Sequence, residues 1–450
     1  MRDIADAATD GPRLAVTRAD FPKDFLFSTA TSAYQIEGHA LGGAGPTHWD
    51  AFASIPGKVA RFETGAIACE HYHRWEEDLD LVARGGFDAY RFSTSWARVM
   101  PDGVTVNPEG LDFYDRLVDG MLARGIKPMA TLYHWELPEA QSRRGGWLVR
   151  ETPERFADFT RVVAERIGDR LYSVAPVNEP WCVAWLSHYH GAHAPGLASL
   201  EAGVQSMHNV ALAHGLSVEV LRELGVRNVG AACNFEYALP ATDDDEDVEA
   251  ARLYDGIYNR WFAGAMFRGE YPTDVLEGFA PHMPRGWEAD LARIHHPLDW
   301  FGINYYTCQR LMRAGRDWPR IGSVPGDLPR TAMGWEICPE GLTYLLKRIA
   351  GEYSKDVPLF VTENGLANPD APNRPDRERI EFVDLHLRAC LDAIDAGVPL
   401  QGYTAWSLMD NYEWAFGYEK RFGLVHVDFE TQERTPKASW HAFAHALAQS

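Results

Sequence analysis

This 450-residue chain predicts an α/β fold: one closed (β/α)8 barrel of alternating parallel strands and helices. Three observations carry that prediction. Eight short apolar, β-rich runs recur along the chain, and amphipathic stretches with helix signals separate them. Polar or aromatic residues also gather at the C-terminal ends of those runs, the face on which barrel active sites lie. Length alone admits two or three domains, yet barrels of this kind often run this long as one.

The candidate strands are 25–35, 89–96, 127–135, 172–180, 228–235, 299–306, 358–364 and 400–408. After the second, Leu111, Tyr114, Leu117, Val118, Met121 and Leu122 recur at helical spacing, and Gly125 marks a stop. After the third, Thr152-Pro153 reads as an N-cap and first-turn proline ahead of Phe156, Phe159, Val163 and Ile167, closed by Gly168. After the seventh, a helix over 376–396 places Ile380, Val383, Leu387, Leu391 and Ile394 on one face and stops at Gly397. Segments 310–333 and 364–379 read as long loops on the C-terminal face, walling a site. A doubly wound open sheet is the competing fold. It calls for a glycine-rich phosphate turn after the first strand, and Ser28-Thr29-Ala30-Thr31-Ser32 is not one. The domain reading is a polar extension over 1–20 and a catalytic barrel over 21–450.

Composition narrows the partners. A formal charge of −21 argues against binding a phosphate backbone or an anionic membrane, and fits a neutral small molecule. Fifteen tryptophans supply flat apolar rings that pack cores or stack on sugar faces. Asp3, Asp6 and Asp10 stand where a signal peptide needs an apolar core, and no run approaches membrane-spanning length. The six cysteines are scattered without a Cys-x-x-Cys pair. The expectation is a cytoplasmic protein with reduced thiols, no metal and no cofactor. Its oligomeric state stays open, a homo-oligomer included.

Seven of the eight strand ends carry hydrogen-bonding or aromatic residues: Gln35, Arg91, His134, Asn178 with Glu179, Asn304 with Tyr306, Glu363, and Trp406. Two segments stand out among them. Val177-Asn178-Glu179-Pro180 and Val361-Thr362-Glu363-Asn364-Gly365 each set a glutamate at the end of an apolar run, beside an asparagine and a turn-former. Carboxylates at the ends of the fourth and seventh strands face one another across a barrel mouth, which is what glycosidic bond cleavage requires.

These residues sit inside segments that resemble glycoside hydrolase family 1, the β-glucosidase family, from about residue 21 to the C-terminus. The matching segments are Ser32-Ala33-Tyr34-Gln35-Ile36-Glu37-Gly38, His71-Tyr72-His73-Arg74-Trp75, Tyr90-Arg91-Phe92-Ser93 and Tyr133-His134-Trp135. They continue with Asn178-Glu179-Pro180-Trp181, Gly302-Ile303-Asn304-Tyr305-Tyr306, Met333-Gly334-Trp335-Glu336, Thr362-Glu363-Asn364-Gly365 and Trp406-Ser407-Leu408-Met409-Asp410-Asn411.

The resemblance implies a retaining double displacement. Glu363 is then the nucleophile, and Glu179 the acid that protonates the leaving oxygen and later the base that activates water. Arg91 and Tyr306 are the expected partners that keep Glu363 ionised, while burial and the charge of Glu363 raise Glu179. Retention expects a carboxyl separation of roughly 5–5.5 Å. Asn178 is expected on the sugar 2-hydroxyl. Gln35, His134, Asn304, Glu413, Trp414 and Phe422 match sugar-binding positions, and Trp406 a platform under the ring. Trp181 and Trp335 fall on the aglycone side.

The segment 413–422 bears on which sugar binds. Family members acting on 6-phosphorylated sugars carry a serine, a lysine and a tyrosine here, whereas this chain has Glu413, Lys420 and Phe422. A carboxyl at 413 suits neutral hydroxyls, so the expected substrate is an unphosphorylated β-O-glucoside. β-Galactosides and β-fucosides remain alternatives, as does transfer to a sugar acceptor; a 6-phosphoglycoside or a non-catalytic sugar-binding barrel is more remote. Two departures stand out: Phe416, where bacterial relatives often carry a polar residue near the 6-hydroxyl, and Pro176-Val177, which bears on packing. A metal-dependent hydrolase would draw on His71, His73, Glu76, Glu77 and Asp78 or on His188, His190 and His193. The first group lies on a presumed helix away from the mouth, with His71 and His73 facing different ways.

Overall fold

The computed structural model describes residues 12–369 and 376–449. All eight expected strands form: β1 (Leu26–Ala30), β2 (Ala89–Ser93), β3 (Lys127–Tyr133), β4 (Ser173–Val177), β5 (Gly230–Pro240), β6 (Trp300–Arg313), β7 (Leu359–Asn364) and β8 (Leu400–Trp406). They hydrogen-bond in the order β4-β3-β2-β1-β8-β7-β6-β5, every neighbouring pair parallel. Two isolated parallel bridges, Val174 with Val229 and Asn178 with Ala232, join β4 to β5 and close the barrel. Their bonds run from the amide of Val174 to the carbonyl of Asn228 (3.0 Å) and from the amide of Glu179 to the carbonyl of Ala232 (2.9 Å).

The helices form where apolar spacing predicts, with local corrections at their ends. Helix Pro108–Ala123 carries proline in its first turn, and Gly125 follows at φ 71°, a left-handed stop that favours glycine. The next expected helix runs Glu151–Ile167, so Thr152 is not its cap. The Thr152 hydroxyl instead donates to the carbonyl of Gly146 (2.6 Å). Helix Arg377–Asp395 ends before Gly397 at φ 89°, as its spacing predicts. The first strand is shorter than expected: β1 stops at Ala30, and Gln35 sits on a one-turn helix, Ala33–Ile36. The amide of Ala33 donates to Ser93 Oγ (2.7 Å), turning the chain over the barrel mouth.

Segment 310–333 is not simply a loop. β6 continues to Arg313, and a short strand, Ile321–Val324, folds back antiparallel on its outer half. Ile321 and Val324 supply β-branched residues to the outer strand of this hairpin. β5 and β6 consequently stand proud of the barrel, pairing beyond the core at Tyr237 with Cys308 and Leu239 with Arg310. Part of the other expected loop, 370–375, lies outside the described residues.

At the N-terminal end, Leu14 and Val16 are buried, and the amides of Ala15 and Val16 donate to Asp384 Oδ1 (2.7 and 2.9 Å). Among the described residues no helix is long and apolar enough to cross a membrane. The six cysteines are free and buried. Val177 packs in the main core.

Candidate active site

The mouth of the barrel gathers the two glutamates into one hydrogen-bonded floor. Register places Asn234 on β5, Asn304 on β6 and Glu363 on β7 side by side. The Asn304 amide donates to Glu179 Oε1 (2.8 Å) and to Asn178 Oδ1 (3.0 Å), and Thr362 Oγ1 donates to Asn304 Oδ1 (2.6 Å). Arg91, buried at the end of β2, donates from Nη1 to Glu363 Oε1 (2.5 Å) and from Nη2 to Asn178 Oδ1 (2.6 Å). Tyr306 donates its hydroxyl to the second oxygen of Glu363 (2.8 Å). A buried cation and a phenol thus hold one carboxylate, while a neutral amide holds the other.

The electrostatics follow from those partners. Burial pushes Glu179 up to about 8, the charge of Glu363 adds to the push, and the Asn304 amide opposes it. Burial raises Glu363 as well, but the charge and hydrogen bond of Arg91 and the Tyr306 hydroxyl favour its ionised form. Glu413 also rises to about 8, through burial and then through the charges of Glu363 and Glu179. Burial and Arg91 hold His134 well below the usual imidazole range, so it stays neutral.

A cavity of about 430 Å³ opens above this floor. Glu179, Glu363, Asn304 and Tyr306 form its base; His134, Trp406, Glu413, Trp414, Phe416 and Phe422 line one side, and Trp181, Met333 and Trp335 another. The imidazole of His134 stacks on Trp406 (5.6 Å between centroids, 16° between planes) and near Trp414 (6.2 Å, 12°). A larger cavity of about 1240 Å³ lies between helices Pro339–Ile349 and Arg377–Asp395, and neither Glu179 nor Glu363 faces it.

Comparison with known proteins decides the ancestry of this arrangement. The sequence model described as "Glycosyl hydrolase family 1" matches residues 17–449. A β-glucosidase from an Agrobacterium species is 45% identical, with 94% of this chain and 95% of that protein aligned. The chain belongs to glycosyl hydrolase family 1. A bifunctional β-D-glucosidase/β-D-fucosidase from Bifidobacterium breve is 42% identical, over 95% of this chain and 98% of its own. The solved family 1 β-glucosidase of Thermotoga maritima superposes with a TM-score of 0.93 at 40% identity, covering 96% of this chain and 98% of that one.

Within this family 1 chain, three of the expected site residues lie behind the cavity surface. Arg91 and Asn178 belong to the floor beneath Glu363. The Gln35 amide donates to Asn411 Oδ1 (2.9 Å) and to the carbonyl of Tyr412 (2.8 Å). The histidine groups have other partners: His71 bonds Asp78 (2.8 Å), which pairs with Arg434 (3.0 Å), and His188 faces backbone carbonyls of its own turn. Among the described residues no group of three or more His, Cys, Asp or Glu is placed to hold a metal ion.

Sequence reasoning missed the contribution of β5, the one strand end to which it assigned nothing. Asn234 and Glu236 both line the cavity from it. The signal was available, since Cys233-Asn234-Phe235-Glu236 alternates apolar and polar residues at the strand's end. Gln309 on the outer half of β6 also lines the cavity; it lay between the expected strand 299–306 and the expected loop 310–333, assigned to neither.

Proposed function

We propose that this family 1 enzyme is a retaining β-glucosidase that removes terminal β-D-glucosyl residues from small neutral O-glycosides. The observation that carries the reading is the unequal treatment of two buried carboxyls in one cavity. Glu363 accepts hydrogen bonds from Arg91 and Tyr306, whereas Glu179, whose partners are the neutral Asn304 amide and the Cys182 thiol, is pushed up to about 8.

In the first step Glu363 attacks the anomeric carbon as Glu179 gives its proton to the leaving oxygen, breaking the glycosidic bond and forming a glycosyl ester. In the second, Glu179, now a carboxylate, takes a proton from water. The resulting oxygen attacks the anomeric carbon and frees Glu363. Asn178 is oriented by Arg91 toward the site of the 2-hydroxyl, and the remaining hydroxyls meet His134, Glu413 and Trp414 above the Trp406 platform. All the groups this reaction needs are side chains of the chain itself.

Neutral sugars suit this site better than phosphorylated ones. Glu413 sits in the cavity wall, and the Lys420 ammonium donates instead to the carbonyl of Ala332 (3.0 Å) and pairs with Glu419 (3.3 Å). A galactoside or fucoside is the second reading, because the carboxyl of Glu413 tolerates a 4-hydroxyl of either orientation. The six buried free thiols are consistent with a cytoplasmic location. A rate panel over nitrophenyl β-glucoside, β-galactoside, β-fucoside, β-xyloside and 6-phospho-β-glucoside tests the assignment. Turnover of the glucoside with negligible turnover of the phosphorylated substrate is expected; the reverse order overturns it.

A further inference from the structure

Glu413, Trp414, Phe416 and Phe422 all reach the cavity from one loop, residues 407–424, which joins β8 to a two-stranded ribbon, Val425–Val427 with Arg434–Pro436. Glu413 Oε2 is buried without a hydrogen-bond partner, so the backbone of the loop sets where that carboxyl stands. Trp414 is seated by its ring, stacked on Tyr34 (6.0 Å, 7°) and 4.7 Å from Trp49 between centroids. The tip of the loop rests on a neighbouring segment through Tyr418. Its amide donates to the Glu63 carboxylate (2.8 Å) and its hydroxyl to the carbonyl of Thr64 (2.7 Å).

At the base of the loop stands Asp410, fully buried and set back from the cavity lining. Its Oδ1 accepts from the Lys437 ammonium (2.8 Å) and the amide of Gly423 (3.0 Å), and its Oδ2 from Arg421 (2.8 Å). One carboxylate at the start of the loop is thus bonded to its last turn and to the residue ahead of the final helix, Ala438–Leu447. The crossing is tight: a Cβ on Gly423 would lie 1.9 Å from the Asp410 amide nitrogen, so only glycine fits. Arg421 carries the tie further, because its carbonyl accepts from the amide of Asn368 (3.1 Å), on the chain that leaves β7 and Glu363. Burial pushes the Asp410 carboxyl up, but Lys437 and then Arg421 outweigh it and hold the carboxyl below its ordinary range.

We propose that Asp410 is a positioning residue: it touches no sugar, but its bonds to Gly423, Arg421 and Lys437 hold loop 411–422 where Glu413 meets the sugar's 4-hydroxyl. This rests on the β-glucosidase reading above. A buried carboxylate between two cations adds little net stability, because desolvation offsets the attraction and apolar residues often pack as well. What it fixes is geometry, since each oxygen has a set partner. With Tyr418 still seated on Glu63 and Thr64, a neutral side chain at 410 shifts the loop rather than releasing it. The floor around Glu363 and Glu179 is bonded independently of the loop, so the misplacement falls on Glu413 and not on the carboxyl pair.

The test compares kcat/KM for nitrophenyl β-glucoside and for its 4-deoxy analogue, which lacks the hydroxyl that Glu413 reads. Asp410→Asn should lower the value for the glucoside by about tenfold to hundredfold, chiefly through KM, the cost of misplacing a contact group by roughly 1 Å. The loss on the 4-deoxy substrate should be several times smaller. Arg421→Met, which removes one cation and keeps Asp410, should show the same pattern at smaller size, and it decides the question if Asp410→Asn does not fold. Equal losses on the two substrates would leave the cluster a scaffold element and overturn the proposal, as would no loss on either. Wild-type hydrolysis of nitrophenyl β-glucoside tests the underlying activity separately. If that activity is missing, tryptophan-fluorescence titration with glucose and 4-deoxyglucose reads the same contrast, and a variant that weakens both equally, or neither, overturns the proposal.

Discussion

The floor around Glu363 and the wall built by β5 with the outer half of β6 differ in how completely they are hydrogen-bonded before any sugar arrives. On the floor, Arg91, Asn178, Asn304, Thr362 and Tyr306 bond to one another and to the two glutamates. On the wall, the Asn234 amide has no partner, nor has the indole of Trp181, which joins the wall from the segment after β4. A floor fixed in advance stabilises the charge that develops at one place in the reaction. A wall with unused donors reads whatever leaving group is presented.

The largest effect that separates the two regions is loss of the nucleophile. Glu363→Ala should lower hydrolysis by at least ~10⁴-fold, with activity partly restored by azide or formate standing in for the carboxylate. Activity within tenfold of wild type in the variant would remove Glu363 from the reaction. Glu179→Gln should cost ~10²–10⁴-fold on alkyl or sugar leaving groups and far less on dinitrophenyl glucoside, which departs without a proton. Equal losses on both substrates would show that Glu179 is not the acid.

The same pair sets the pH profile of kcat/KM. Glu179 acts protonated, so activity should fall as pH rises through about 8. Glu363 acts ionised, so activity should fall again on the acid side as that carboxylate takes up a proton. Both limbs belong to the coupled pair rather than to either residue alone. The alkaline limb should be full with nitrophenyl glucoside and weak with dinitrophenyl glucoside, which departs without a proton; an equally strong limb with both substrates would assign it to another group.

The smallest effects sharpen the contrast between floor and wall. Asn304→Ala should lower both the melting temperature and the rate, because it strips partners from Glu179, Asn178 and Thr362. Asn234→Ala removes an amide that is buried and unpaired, a burden of about 1–3 kcal/mol. It should hold or raise the melting temperature while lowering kcat/KM for cellobiose severalfold. A lower melting temperature together with unchanged cellobiose turnover would place Asn234 in the scaffold rather than in the binding wall.

What could be read from the sequence follows the same division. Strand positions, helix stops and the floor were legible because they rest on local rules: apolar runs, cap residues, and a carboxylate beside an asparagine and a turn-former. Arg91, Tyr306 and Glu363 could be brought to one mouth because each stands at a strand end and all barrel strands end on one face, while their pairing came from the family resemblance. The wall was not legible in the same way. Asn234 and Glu236 carried only the weak local signal of an alternating strand end, and Gln309 stands beyond the expected end of β6, on an overhang whose hairpin depends on pairing between residues on either side of a turn. Gln35 shows the converse case: its motif was plain, yet its amide bonds Asn411 and Tyr412 behind the cavity surface.

The two bridges that close β4 onto β5 lie directly under the proposed acid. The backbone N–H of Glu179 is itself one of the bonds across that seam, and its residue holds a left-handed backbone at φ 48°, a conformation costing a non-glycine residue about 1–3 kcal/mol. The clasp of the barrel and the source of the catalytic proton are therefore one residue. On warming, the lightly bonded seam is where the cylinder should first gape, carrying Glu179 away from Glu363 before the remaining strands let go. Activity should consequently vanish some degrees below the temperature at which the fold melts, and amide hydrogen exchange at Glu179 should report the approach of that failure.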